Sequence, residues 1–152
     1  MRCTRREGGA RLNVMFNGEL LKEVDQYKYW GSVVAANGGV EADVSQRVNE
    51  GCKVFGPVNG VVKNRGIGRN VNRVLYEKVI VPTVIYGLEL WGIKVTERQK
   101  LNMFEMKCLR NKIGVSQIYM IRNEVVRVRM GVRNYLAPGV NKNVLRWCGH
   151  IE

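Results

Sequence analysis

The chain has 152 residues, 45% hydrophobic and 25% charged, enough for a packed core and against wholesale disorder. Its 25 Lys and Arg stand against 13 Asp and Glu, a formal net charge of +12. A field of that sign favours polyanions, nucleic acid first and an anionic membrane surface second, against the plainer alternative of a basic solvated surface.

Residues 1–10 are polar and glycine-rich and read as a loose start. The run RLNVMFNGELLKEV then places Asn17-Gly18 between two apolar-bearing segments. Asn-Gly readily takes the positive φ angles of a type I′ turn, so this predicts a hairpin. A third strand is expected over residues 27–35. Its alternation puts Tyr27, Tyr29, Gly31 and Val33 on one face and Lys28, Trp30, Ser32 and Val34 on the other. Asn37, Gly38 and Gly39 end it.

After Val40 the period changes: Val40, Val44 and Val48 recur at helical spacing. Gly51, Gly56, Pro57 and Gly60 predict a helix that is broken near Gly56-Pro57 or weakly held, since an interior glycine costs about 1 kcal/mol relative to alanine. The basic stretch 63–70 (KNRGIGRN) reads as a loop. A further helix starts after Asn70, carries Val71, Val74, Leu75 and Val79, and is kinked or ended by Pro82. Thr96-Glu97-Arg98-Gln99 fits a capping box with threonine as the cap. Leu101, Phe104, Cys108 and Leu109 form an apolar stripe behind it, Gly114 supplies the stop, and Arg98, Lys100, Lys107, Arg110 and Lys112 occupy the other faces. A shorter helix runs from Asn123 to Met130 and stops at Gly131, and residues 141–148 begin a last one. The expected fold class is α+β: a small antiparallel β hairpin or sheet at the N-terminus, then a mainly α-helical bundle.

Several chemistries are disfavoured. Cys3, Cys52, Cys108 and Cys148 are scattered singly, no C-x-x-C pair occurs, and His150 is the only histidine, so a structural zinc site is poorly supported. Four cysteines could pair as disulfides, but the opening MRCTRREGG carries no apolar signal segment. A reducing intracellular setting, nuclear or cytoplasmic, is therefore expected. The longest apolar run, residues 79–93, is interrupted by Pro82, Gly87 and Glu89 and reads as buried core rather than a membrane span. A lone histidine builds no Ser-His-Asp or Cys-His constellation. Residues 60–69 carry glycines without the G-x-x-x-x-G-K-S/T pattern of a phosphate loop and read as a flexible linker.

The order of an Asn-Gly hairpin, then Tyr29-Trp30-Gly31-Ser32, then a Gly-Gly turn and a helix resembles the reverse transcriptases of non-LTR (LINE-like) retrotransposons, in the region just after their catalytic palm motifs. Leu75-Tyr76-Glu77 with Val81-Pro82-Thr83-Val84-Ile85-Tyr86-Gly87 resembles that family's L-Y-x-x-x-x-P-x-x-x-Y-G helix. Trp91 sits at its E-x-W position. Phe104-Glu105-Met106-Lys107-Cys108-Leu109-Arg110, Arg122-Asn123-Glu124, and Leu145-Arg146-Trp147 through Gly149-His150 resemble three further elements in order. The likeness runs from about Leu12 onward. Departures are Trp30 for the usual leucine, Gly51, Gly66 and Gly68 where helix formers or basic residues are usual, and Leu88 and Leu90 around Glu89; they resemble an eroded or divergent copy.

The resemblance implies a fragment comprising a primer-grip-like element (residues 11–39), a helical thumb-like region (40–115) and a truncated C-terminal helical extension (116–152). Polymerase chemistry needs paired carboxylates for two divalent ions. This sequence has only two aspartates, Asp25 and Asp43, and no Asp-Asp pair. The expectation is therefore no polymerisation by the chain itself and no cofactor, since magnesium would belong to the palm. Partners would be RNA, DNA or the hybrid, with the palm or a second copy as further ones and no membrane. By that resemblance Lys28, Gly31 and Ser32 approach a nucleic-acid backbone, Gly31 because it lacks a side chain. Lys63, Arg65 and Arg69 are the first thumb candidates for phosphate contact and Lys107, Arg110 and Lys112 the second, with Arg127, Arg129 and Arg133 as another basic cluster. Trp91, Phe104, Leu75 and Tyr86 read as core, and Tyr27, Tyr29 and Trp30 as rings of which alternate members face it. The competing reading is a structural or interaction remnant without biochemical activity.

Overall fold

The computed structural model describes residues 14–64, 68–88, 92–132 and 135–149. The chain divides into two compact units, residues 1–43 and 44–152. The fold is α+β, with two small antiparallel hairpins followed by helices.

In the first unit, β1 (Met15–Phe16) pairs with β2 (Glu19–Leu20) around Asn17 and Gly18, whose φ angles of 51° and 84° are those of the predicted turn. The expected third strand is instead a second hairpin, β3 (Gln26–Tyr29) against β4 (Ser32–Ala35). Trp30 and Gly31 form its two-residue turn at φ 50° and 84°. The turn resets the alternation. Tyr27 lies opposite Val34 and Lys28 opposite Val33, and directly opposed residues share a face, so Tyr27 does not share one with Val33. Tyr27, Tyr29 and Trp30 are 57%, 60% and 80% exposed, so these rings are not core. The tryptophan carried no turn signal because aromatic residues favour strands. The hairpin is fixed to the first turn of the following helix, where the buried Asp43 carboxylate accepts from the Val33 amide at 2.9 Å.

A bulky residue at φ 50° is strained, since the left-handed region brings Cβ against the following carbonyl at a cost of roughly 1–2 kcal/mol. Trp30→Asn is expected to slow amide exchange of the β3–β4 ladder by about fivefold, read by hydrogen–deuterium exchange; faster exchange would refute the strain.

The second unit is helical. α1 (Glu41–Asn64) begins in the first unit and continues unbroken through Pro57, against the expected break. A proline normally expels the preceding residue from helical geometry by pressing on its Cβ, and Gly56 has none. Of the stretch 63–70 expected as a loop, residues 63 and 64 belong to α1 and Arg69 opens α2 (Arg69–Leu75), while residues 65–67 lie outside the described residues. α2 passes through a π-turn (Tyr76–Ile80) into α3 (Val81–Ile85). There the Val81 amide reaches back five residues to the Tyr76 carbonyl. This wider turn accommodates Pro82, so helical structure continues through the proline rather than ending at it.

α4 (Val95–Lys112) starts before the predicted threonine cap: Glu97, not Gln99, reaches back, accepting from the Lys94 amide at 2.9 Å and from Thr96 Oγ1 at 2.7 Å. Its end is as predicted, with Gly114 at φ 68° and the Val115 amide bonded to the Arg110 carbonyl. A 3-10 turn (Gln117–Tyr119) leads to α5 (Asn123–Met130), which closes at Gly131 with φ 67°. α6 (Leu136–Cys148) starts five residues before the predicted onset at residue 141. The apolar stripe of α4 is buried together with Val44, Tyr76, Ile80, Val84, Val126 and Leu136, giving the unit one continuous core.

Candidate nucleic-acid interface

The net charge is not shared between the units. Residues 1–43 carry six basic and six acidic side chains, so the remaining nineteen basic and seven acidic residues place the whole +12 on residues 44–152. The net positive field is therefore that of the helical unit.

That unit holds an open groove of about 870 Å³ between α1 and α4. From α1 come Ser45, Val48, Asn49 and Cys52, spaced to share one helix face. From α4 come Gln99, Asn102, Met103, Met106 and Arg110 along one stripe, with Lys100 and Lys107 seven residues apart beside it. Phe104 and Met106 are nearly inaccessible and form the floor with Val48 and Cys52. Among the described residues, Lys100, Lys107 and Arg110 are the groove's charged residues and no carboxylate lines it. Lys100 Nζ reaches Ser45 Oγ at 3.4 Å, a weak link between the two walls.

The expected phosphate-binding residues are dispersed. Lys107 is exposed on the groove, and Arg110 lines it half-buried. Arg110 also ties α4 to the segment that leads into α5. Its Nη2 donates to the Ile121 carbonyl at 2.6 Å and to Asn123 Oδ1 at 3.0 Å, while Nη1 has no acceptor among the described residues. Lys112 does not line the groove. Its ammonium is enclosed 5.5 Å from the Phe55 ring centre with no hydrogen-bond acceptor among the described residues, and burial lowers its pKa. Lys28, Gly31 and Ser32 belong to the first unit, whose formal charge is zero, with Lys28 exposed on β3. Lys63 ends up in the last turn of α1 and Arg69 at the start of α2, and Arg65 lies outside the described residues.

Of the further basic cluster, Arg127 is committed internally, Arg129 is exposed, and Arg133 lies outside the described residues. Arg127 meets the fully buried Glu105, with Nη2 at 2.6 Å and Nε at 3.2 Å from Oε2. Oε1 of the same carboxylate accepts from the Tyr76 hydroxyl at 3.2 Å and the Leu136 amide at 3.3 Å. The guanidinium further stacks 4.5 Å from the Tyr135 ring centre. This cluster joins the π-turn, α4, α5 and the start of α6. Burial first and the Glu105 charge second drive the Tyr76 pKa upward, holding it as a neutral donor. Among the residues expected in the core, Phe104 is buried, Leu75 is half-buried, and Trp91 lies outside the described residues. Tyr86 is 54% exposed instead, with the Arg47 guanidinium 4.8 Å from its ring centre.

The sequence singles out Lys107 and Arg110 for phosphate contact but not Lys100, which reads only as one of the basic residues on the other faces of its helix. The Ser45–Asn49–Cys52 wall was not legible in the sequence, because polar residues at helical spacing look like any solvated face. Among the described residues no group of three or more His, Cys, Asp and Glu could hold a metal, and no helix is long and apolar enough to cross a membrane. Comparisons with protein-family models, curated proteins and solved structures find no match to this chain.

Proposed function

We propose that the helical unit binds nucleic-acid backbone without sequence preference and without polymerising, as expected of the region that follows the palm in LINE-like reverse transcriptases. The observation that carries this reading is the groove between α1 and α4, which has cations and carboxamides but no carboxylate among the described residues of its walls, and all of the chain's net charge in its unit. Such contacts exchange condensed counterions for lysine and arginine, so affinity falls steeply with salt. The ordered sequence motifs favour the family reading, and the lack of an Asp-Asp pair favours the absence of polymerisation.

Wild-type protein is expected to raise the fluorescence anisotropy of labelled RNA, DNA and hybrid at low salt. Lys100→Glu combined with Lys107→Glu is expected to weaken that binding about tenfold or more and to reduce the log–log salt slope by about two. Both lysines are exposed, so folding is expected to change by no more than about 0.5 kcal/mol. No association at low salt, or an unaltered affinity in the double variant, ends this reading.

A non-catalytic interaction role is the second reading, favoured by the exposed Met15, Phe16, Leu20 and Trp30 of the hairpins. Size-exclusion chromatography separates the two: a monomer at all concentrations argues against self-association.

A further inference from the structure

We infer that the groove takes single-stranded nucleic acid, an unstacked base lying on its apolar floor with flanking phosphates on Lys100 and Lys107, an inference that rests on the backbone-binding reading above. Backbone contact alone needs only exposed cations, and this site adds a concave apolar floor. Its 870 Å³ falls within the range of about 300–1,000 Å³ typical of pockets that enclose small molecules. Val48, Cys52, Phe104 and Met106 supply a floor for a flat ring, while the lysines stand on the wall where a sugar-phosphate chain leaves the pocket.

Two of the carboxamides that line the groove present their donors. Asn102 Oδ1 accepts from Arg127 at 3.4 Å and Asn123 Oδ1 accepts from Arg110 at 3.0 Å. Each carboxamide oxygen is thereby engaged, and its NH2 group remains as the donating end. Together with Lys100 and Lys107, this set suits a ligand rich in acceptors, as phosphates and base carbonyls are. In a duplex the bases are stacked and paired, so delivering one to the floor requires unpairing and extruding it. A single strand offers its bases without that step, and burying or stacking a base strengthens binding independently of sequence.

The test uses the unmodified protein and labelled strands of about 12 nucleotides, within the footprint of roughly 4–16 nucleotides usual for single-strand binders. Anisotropy at low salt compares one strand with the duplex it forms, and peptide mapping follows alkylation of Cys52 by N-ethylmaleimide with each bound. Cys108 is an internal control, because it is buried and its thiol pKa is pushed up to about 12, first by that burial and then by Cys52. The single strand is expected to bind about tenfold tighter than the duplex and to slow Cys52 alkylation several-fold, leaving Cys108 unreactive. Equal affinity for strand and duplex, or single-strand binding that leaves Cys52 alkylation unchanged, overturns the inference while leaving backbone binding intact. Absence of binding to either overturns both.

Discussion

Replacing Glu105 by leucine is expected to lower stability by roughly 3–5 kcal/mol, the usual cost of removing one partner from a buried ion pair. The carboxylate is fully inaccessible, and the Arg127 side chain that it holds is only 16% exposed. Without it the guanidinium loses its charge partner, and the Tyr76 hydroxyl and the Leu136 amide lose the acceptor they share. The Leu136 bond also sets a negative charge at the start of α6, where the helix dipole favours it. Four elements are released at once, so a fall in Tm of about 10 °C or more is expected. Glu105→Leu with Arg127→Met is expected to cost less than the sum of the two single changes, because the double variant leaves no unpaired charge. Urea titration of the three variants measures both quantities. A single-variant loss below about 1 kcal/mol would show that the cluster does not hold the helices together.

Gly51 gives the second large effect, and its sign opposes the helix-propensity argument. A Cβ added there would lie 2.5 Å from Val84 Cγ2 and 2.8 Å from Phe104 Cζ, closer than packed atoms tolerate. The glycine therefore lets α1 approach both α3 and α4, and the close approach places Asn49 and Cys52 opposite α4 to make the groove. Gly51→Ala gains about 1 kcal/mol of helix propensity but incurs overpacking of about 1–3 kcal/mol, for a net loss of up to roughly 2 kcal/mol. Gly51→Leu is expected to lose about 3 kcal/mol or more and to weaken nucleic-acid binding with it. Gly60→Ala is the control. Nothing lies within 4 Å of a Cβ there, so it is expected to stabilise by about 0.5–1 kcal/mol. An equal gain at both positions, measured by chemical denaturation, would show that α1 does not need the close contact.

The same glycine marks the boundary between what reads locally and what does not. By its own lights the sequence made Gly51 a weak point in a helix, an eroded position where the resembled family carries a helix former. Three-dimensional packing makes it a contact surface, because the atoms it accommodates belong to residues 33 and 53 positions further along the chain. Trp30 is a parallel case. Its aromatic side chain argued for a strand, and the paired strands on either side placed it in a turn instead.

Where one or two residues suffice to dictate the backbone, the chain announced its structure. Asn17-Gly18 made a hairpin turn, Gly114 and Gly131 closed α4 and α5, and Asn123–Met130 formed as read. These outcomes follow from local backbone sterics and orphan end groups, which distant residues hardly alter. The positive charge was equally plain, since counting side chains needs no coordinates. Its confinement to residues 44–152 could also be counted, once the fold had drawn the line between the units. Tertiary structure alone decided the rest: which arginine is consumed by Glu105, which lysine is turned to a ring, and that two helices separated by some thirty residues form the walls of one groove. Those are non-local pairings, and each depends on where the whole chain goes rather than on what one segment prefers.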